Sequence, residues 1–162
     1  MTGTRTLTVA PHGEREILIS RAFGAPRRLV YAAYTTPDLL RRWLGPRAWE
    51  MTDCEIDLRE GGAWRYVMHG PEGAAMVIRG VYREVVPDER LVTTETFDDD
   101  WTGGETLNTT VFDEHDGVTT VTTTVRYASA EARDGALGSG MEHGMAEGFS
   151  RLDEVLAEGD PR

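Results

Sequence analysis

This sequence has a single cysteine, few basic residues and no long apolar run. Cys54 is the single cysteine among 162 residues, so no disulfide can form within the chain, and we expect a reducing, cytoplasmic location. No apolar stretch approaches the roughly 20 residues that a helix needs to cross a bilayer. No apolar block follows a basic N-terminus either, so we expect no signal peptide.

Positive charge is scarce as well. The chain has 17 basic and 28 acidic residues, which gives a net charge of −11. Such a surface repels phosphate backbones and anionic lipids, so we expect neither a nucleic-acid partner nor a membrane partner. Most of these carboxylates serve the general purpose of keeping a folded domain soluble.

Motifs for a metal or a cofactor are also missing. The four histidines are dispersed, and no two of them have the spacing of metal ligands. They are His12, His69, His115 and His143. The glycine pairs Gly61-Gly62 and Gly103-Gly104 are typical of turns and not of a phosphate-binding loop. We therefore expect no metal and no cofactor.

What is present is the pattern of a single α+β domain. Residues 1–13 are polar and threonine-rich and indicate a flexible arm, whereas 14–158 form one domain without repeats or linkers. Residues 14–23 alternate as a first strand. Two short amphipathic helices follow, and the second ends at Gly45-Pro46.

Six further strands are predicted from an apolar period of two. They cover residues 54–58, 64–69, 76–83, 91–97, 105–112 and 118–127, with an acidic loop at 98–104. A terminal helix closes the chain. This order predicts a curved, seven-stranded antiparallel sheet that holds one long C-terminal helix.

The terminal helix combines an apolar stripe with a row of glycines. The stripe is Met141, Met145, Phe149, Leu152 and Leu156, and the glycines are Gly140, Gly144 and Gly148. A glycine inside a helix costs about 1 kcal/mol relative to alanine. Their recurrence indicates the close approach of a strand or a partner chain, or space kept open for a ligand. For any single one of these residues, packing alone is favoured over ligand space.

Few side chains suggest acid–base or nucleophilic chemistry. Cys54 alternates with acidic residues that raise a thiol pKa, so we expect an inert core cysteine. Glu95 lies mid-strand; burial would make it a candidate general base, but the usual burial statistics favour an outward-facing charge. Arg59 is expected to form a structural ion pair with Asp57. No convergent acid–base pair is evident, so no catalytic residue is assigned.

Several segments together resemble the activator of Hsp90 ATPase homologue family. They are Trp43-Leu44-Gly45-Pro46, the segments 57–62, 64–68 and 80–91, and Gly144 to Phe149 with Leu152. The resemblance extends from about Arg15 to Leu156. It implies the helix-grip fold of the START-like (SRPBCC, Bet v 1-like) superfamily, which includes lipid carriers, hormone receptors, polyketide cyclases and aromatases. The eukaryotic co-chaperone of the family has an additional N-terminal ATPase-stimulating domain. We do not expect that domain in these 162 residues, and so we do not expect Hsp90 activation.

The helix-grip fold would direct one set of aromatic and methionine side chains into a shared cavity. These candidate ligand-binding residues are Trp43, Trp64, Tyr66, Met68, Met76, Tyr82, Met141, Met145 and Phe149. The Tyr66 and Tyr82 hydroxyls are candidates for orienting an oxygen atom of the ligand. Core packing without any ligand is the alternative.

Three functions follow from these residues and from the resemblance. The first is binding of a small hydrophobic or aromatic ligand without an assigned reaction. The second is a polyketide cyclase or aromatase reaction in the same cavity, and the third is a chaperone-related protein-interaction module. The resemblance is compatible with a homodimer, which nothing in the residues requires.

Overall fold

The computed structural model describes residues 6–98 and 104–158. In chain order its elements are β1 (Thr8–His12), β2 (Glu16–Phe23), α1 (Arg27–Thr35), α2 (Pro37–Trp43), β3 (Glu50–Ile56), β4 (Ala63–His69), a 3₁₀ turn (Pro71–Gly73), β5 (Ala75–Val86), β6 (Arg90–Phe97), β7 (Thr106–His115), β8 (Val118–Arg126), α3 (Ala130–Leu137) and α4 (Met141–Ala157). The acidic loop predicted at 98–104 falls, for 99–103, outside the described residues.

The strands form one antiparallel sheet in the order β1-β2-β8-β7-β6-β5-β4-β3. Helices α1 and α2 therefore carry the chain from β2, near one edge, to β3 at the opposite edge. From β3 to β8 each strand pairs with the next one along the chain, and β8 then pairs with β2. The predicted curved antiparallel sheet and its C-terminal helix are confirmed.

Helix α4 packs its apolar stripe against the concave side of the sheet and against α2. Phe149 meets the Phe23 ring edge-on at 5.5 Å between centroids and stacks on Trp43 at 6.0 Å. Leu152 is fully buried. Because α1 and α2 cover the same end of the sheet, the apolar side chains in the C-terminal half of α4 pack in the hydrophobic core. The N-terminal half, from Met141 to Met145, is only half-buried.

The strand count of the prediction was wrong, because the sheet has eight strands and not seven. Residues 8–12, expected to be part of a flexible arm, form β1 along β2, with Thr8 opposite Ser20 and His12 opposite Glu16. Residues 1–5 of that arm lie outside the described residues. Helix α3 was also missing from the prediction. Both elements are largely exposed, so neither has the apolar periodicity that predicts an element.

The glycine row of the terminal helix has two different causes. Gly140 precedes the helix with a φ of 85°, a left-handed conformation that glycine adopts without strain. Gly148 is a close-approach position, since a Cβ there would lie 3.2 Å from the Trp43 carbonyl oxygen. A Cβ at Gly144 would lie 3.2 Å from the Pro46 ring. The segment that closely approaches Gly144 and Gly148 is thus the end of α2 and the turn that follows it.

None of the helices in the described part of the chain is both long enough and apolar enough to span a membrane.

Candidate functional site

A cavity of about 730 Å³ lies between the concave face of the sheet and the N-terminal half of α4. The nine residues predicted to bind a ligand all line it. They are Trp43, Trp64, Tyr66, Met68, Met76, Tyr82, Met141, Met145 and Phe149. The five strand residues converge because residues opposite each other on paired strands share a face, and the other four come from α2 and α4.

The wall on β4 and β5 is built around a tilted aromatic pair. The Trp64 and Tyr66 rings lie 4.7 Å apart with an interplanar angle of 39°. Gly80 lies opposite Trp64 in the neighbouring strand. A Cβ at Gly80 would lie 2.8 Å from the indole and 1.9 Å from the Thr94 carbonyl oxygen. Glycine at this position therefore lets the indole and the Thr94 backbone approach β5 closely.

The mouth of the cavity lies between the start of β5 and the start of α4. Ala75, Ser139 and Gly140 are the exposed members of its lining. Met76, Met141 and Met145 stand next to them and are half-buried. Methionine side chains are flexible and polarizable, so they can adapt to the shape of an entering molecule.

Glu95 faces this cavity, and the expectation of an outward-facing charge was wrong. It shares the inner side of β6 with Leu91, Thr93 and Phe97, all of which line the same space. Burial raises the pKa of Glu95 to about 7, and a hydrogen bond from the Asn108 side chain lowers it in part. At neutral pH this carboxyl group is therefore divided between its neutral and ionised forms.

A short polar chain orients the Glu95 carboxyl group. Thr106 Oγ1 donates to Asn108 Oδ1 at 3.1 Å, which turns the amide NH₂ of Asn108 toward Glu95. Burial raises the pKa of Tyr127 to about 12, with a smaller contribution from the charge of Glu95. Burial also raises the pKa of Tyr66, with smaller contributions that include the same charge. Both phenols are neutral donors at physiological pH.

A partly buried ion pair that the sequence reasoning missed links β2 to α4. Arg21 on β2 donates from Nη1 to Asp153 Oδ1 at 2.9 Å and from Nη2 to Oδ2 at 2.6 Å. The Arg21 side chain is 8% exposed and that of Asp153 is 29% exposed. A signal was available, because Arg21 stands in the alternating series Ile17, Ile19, Arg21, Phe23, all of which are buried.

The remaining candidates are not part of the cavity lining. Cys54 is buried, as expected, and burial raises its thiol pKa to about 11. The predicted Arg59–Asp57 ion pair is confirmed, with Nε 3.0 Å from Oδ2, and it is exposed. Within 6–98 and 104–158, no three His, Cys, Asp or Glu side chains come together as a group that could hold a metal ion.

The chain is similar to known proteins in sequence and in structure. A family model described as activator of Hsp90 ATPase homolog 1-like protein matches residues 24–157. A Rhodobacter sphaeroides crystal structure is 36% identical, with a TM-score of 0.88, over 94% of this chain and 99% of that one. A Mycobacterium smegmatis protein is 28% identical, with a TM-score of 0.81, over 93% and 97% of the two chains. An Arthrobacter aurescens protein is 26% identical, with a TM-score of 0.82, over 93% and 91%. No curated protein matches.

Proposed function

The chain belongs to the activator of Hsp90 ATPase homolog 1-like family, and from that membership we propose that its cavity binds one small, mainly apolar molecule. The observation that carries this proposal is the cavity itself, with a volume of about 730 Å³. Pockets for small molecules and cofactors typically measure about 300–1,000 Å³ and have mostly apolar walls with a few polar groups.

The composition of the wall supports a binding role. Aromatic rings on β4, β5 and α2 provide rigid apolar area, and the methionines at the mouth provide a part that can deform. Glu95, Asn108 and the tyrosine hydroxyls are the few polar groups that can orient a ligand. Nothing in this arrangement requires the ligand to react.

Narrowing the cavity should weaken binding. We expect Met145→Trp to reduce the affinity for the uncharged fluorescent probe 1-pyrenemethanol by about tenfold or more, which corresponds to about 1.4 kcal/mol. The reason is that the larger indole takes up space at the mouth. The measurement is a fluorescence titration of each purified protein, with circular dichroism as a check that the variant is folded.

The matched control adds the same indole outside the cavity. Leu58 is 39% exposed and is not part of the lining, so Leu58→Trp should bind the probe as the parent protein does. Equal binding by the Met145→Trp variant and the parent would contradict the proposal. So would a parent protein that does not bind the probe at all.

Acid–base catalysis in the same cavity is the second candidate, and Glu95 is the observation that favours it. A carboxyl group whose pKa is raised to about 7 can accept or donate a proton near neutral pH. For an enzyme of the cyclase or aromatase type, Glu95→Gln should abolish turnover and leave the affinity for an uncharged ligand unchanged. Turnover that survives this substitution would exclude Glu95 as the base.

A further inference from the structure

The described lining of the cavity contains a negatively charged side chain and no positively charged one. Glu95 is the single ionisable carboxyl group in the lining, and no Lys, Arg or His is among the lining residues in the described part of the chain. The other polar lining groups are neutral. They are Thr93, Asn108, Thr110, Thr123, Ser139 and the tyrosines at 34, 66, 82 and 127.

The buried cation on this face of the sheet already has an anionic partner. Arg21 lies on the same face of the sheet, but both of its terminal nitrogens bind Asp153, and Nη1 also donates to the Ala22 carbonyl oxygen at 2.9 Å. Glu95 instead receives a neutral hydrogen bond from Asn108. An ionised carboxylate has two oxygens and about four acceptor positions, so Glu95 can accept further donors from a bound molecule.

A carboxylate that faces the cavity without a cation beside it selects the charge of the molecule that enters. An anionic head group would meet a like charge in a low-dielectric space with no positive group to offset it, which is unfavourable. A cationic donor would instead form a charge-assisted hydrogen bond with Glu95. The net charge of −11 acts in the same direction, because it attracts cations to the protein.

We infer that the molecule bound in this cavity, under the binding role proposed above, combines an apolar body with one amine whose ammonium group pairs with the Glu95 carboxylate. Fatty acids and other anionic amphiphiles are correspondingly disfavoured. The apolar body occupies the space between the Trp64–Tyr66 pair and the methionines of α4. The amine reaches the inner side of β6 and β7, where Glu95 and Asn108 meet.

Three probes with one ring system test this inference. They are 1-pyrenemethylamine, 1-pyrenemethanol and 1-pyrenecarboxylate, titrated at pH 8, where Glu95 is mostly ionised and an aliphatic amine is protonated. We expect the amine to bind at least about tenfold more tightly than the carboxylate, the scale of one charge-assisted contact. Glu95→Gln should remove this preference and leave the affinity for the alcohol unchanged.

The pH dependence gives a second readout that needs no variant. As the pH falls from 8 to 6, Glu95 takes up a proton and the advantage of the amine should shrink, while binding of the alcohol stays constant. The groups that face Glu95 are Asn108 from β7, Tyr66 from β4 and Tyr127 after β8. Asn108 does not ionise, and burial keeps both phenols protonated over this range, so Glu95 is the group that titrates.

The control removes one negative charge outside the cavity. Glu142 is exposed in the first turn of α4, close to the mouth, and Glu142→Gln should keep the amine preference. If Glu142→Gln weakens that preference as much as Glu95→Gln does, the attraction is a surface effect and the inference is wrong. Equal binding of amine and carboxylate by the parent protein would also overturn it, while the proposed binding role would stand. No binding of any of the three probes would overturn both.

Discussion

Replacing Asp153 by alanine is expected to lower the free energy of unfolding by about 2–3 kcal/mol. This lies between the cost of breaking a fully buried ion pair and that of an exposed one, because the Asp153 side chain is 29% exposed. The substitution leaves the Arg21 guanidinium unpaired, with its central carbon 4.8 Å from the centroid of the Phe23 ring. Water reaches this position poorly, so the lost contacts are not replaced. Urea denaturation followed by circular dichroism measures the change.

The neighbouring residue supplies a matched control. Glu154 is 65% exposed and binds Arg47 at 2.6 Å across the surface, and exposed pairs contribute about 0–1 kcal/mol. Glu154→Ala should therefore change stability little. Adding Arg21→Met to Asp153→Ala should restore most of the loss, because methionine is not a charge that needs a partner. A loss from Asp153→Ala as small as that from Glu154→Ala would contradict this account.

Replacing Glu95 by glutamine is expected to stabilise the protein at pH 8 by about 3 kcal/mol. The cause is the cost of keeping a carboxylate inside the cavity, which raises the pKa from 4.5 to about 7. One pKa unit corresponds to about 1.4 kcal/mol between the two protonation states. Glutamine has a similar shape, can still accept a hydrogen bond from Asn108 and has no charge to desolvate.

The sign of the pH dependence follows from linkage. Between pH 4.5 and 7 the folded protein binds a proton at Glu95 that the unfolded chain has lost, so stability decreases as the pH rises through this window. Below it both states are protonated, and above it the loss is complete. The advantage of the glutamine variant should accordingly be below about 1 kcal/mol at pH 5 and reach its full size near pH 8.

Urea denaturation at both pH values tests this expectation, with the exposed Glu142→Gln variant as the control for the change in net charge. The control should differ little from the parent protein at either pH. A Glu95→Gln variant that is less stable than the parent at pH 8 would show that the carboxylate is not held at a cost. Such a result would also weaken the role of Glu95 as the partner of a cationic ligand.

Much of the fold was predictable because its strands are buried on one side. Period two is strong from β3 to β8, and helical spacing is strong in α4, so the antiparallel order followed from counting elements. The same periodicity placed Trp64, Tyr66 and Met68 on one face, and the structure has them there. The weak points were β1 and α3, which are stabilised by backbone pairing and by exposed contacts. Neither of these leaves an apolar pattern in the sequence.

The charged residues of the concave face were harder to predict, for a statistical reason. Glu95 and Arg21 each occupy a position in an alternating series whose other members face inward. Charged residues are seldom buried. A prediction that follows this rule and not the alternation places Glu95 on the wrong side of the sheet and misses the buried Arg21. At these two positions the alternation of the strand predicts the side of the sheet correctly, and the burial statistics do not. A charged residue in such an alternating series is therefore a candidate for a polar group on the concave face.

The pairing of β8 with β2 has a consequence for the order of folding. Each pairing from β3 to β8 joins strands that are neighbours in the chain. The pairing of β2 with β8, here called the β2–β8 seam, places Ile19 opposite Thr123 and therefore costs far more loop-closure entropy. We therefore expect the meander to form early and this seam to close late. Since Ile19 and α4 complete the cavity wall, a molecule that binds there stabilises a state formed after the main barrier. It should slow unfolding and leave the folding rate nearly unchanged.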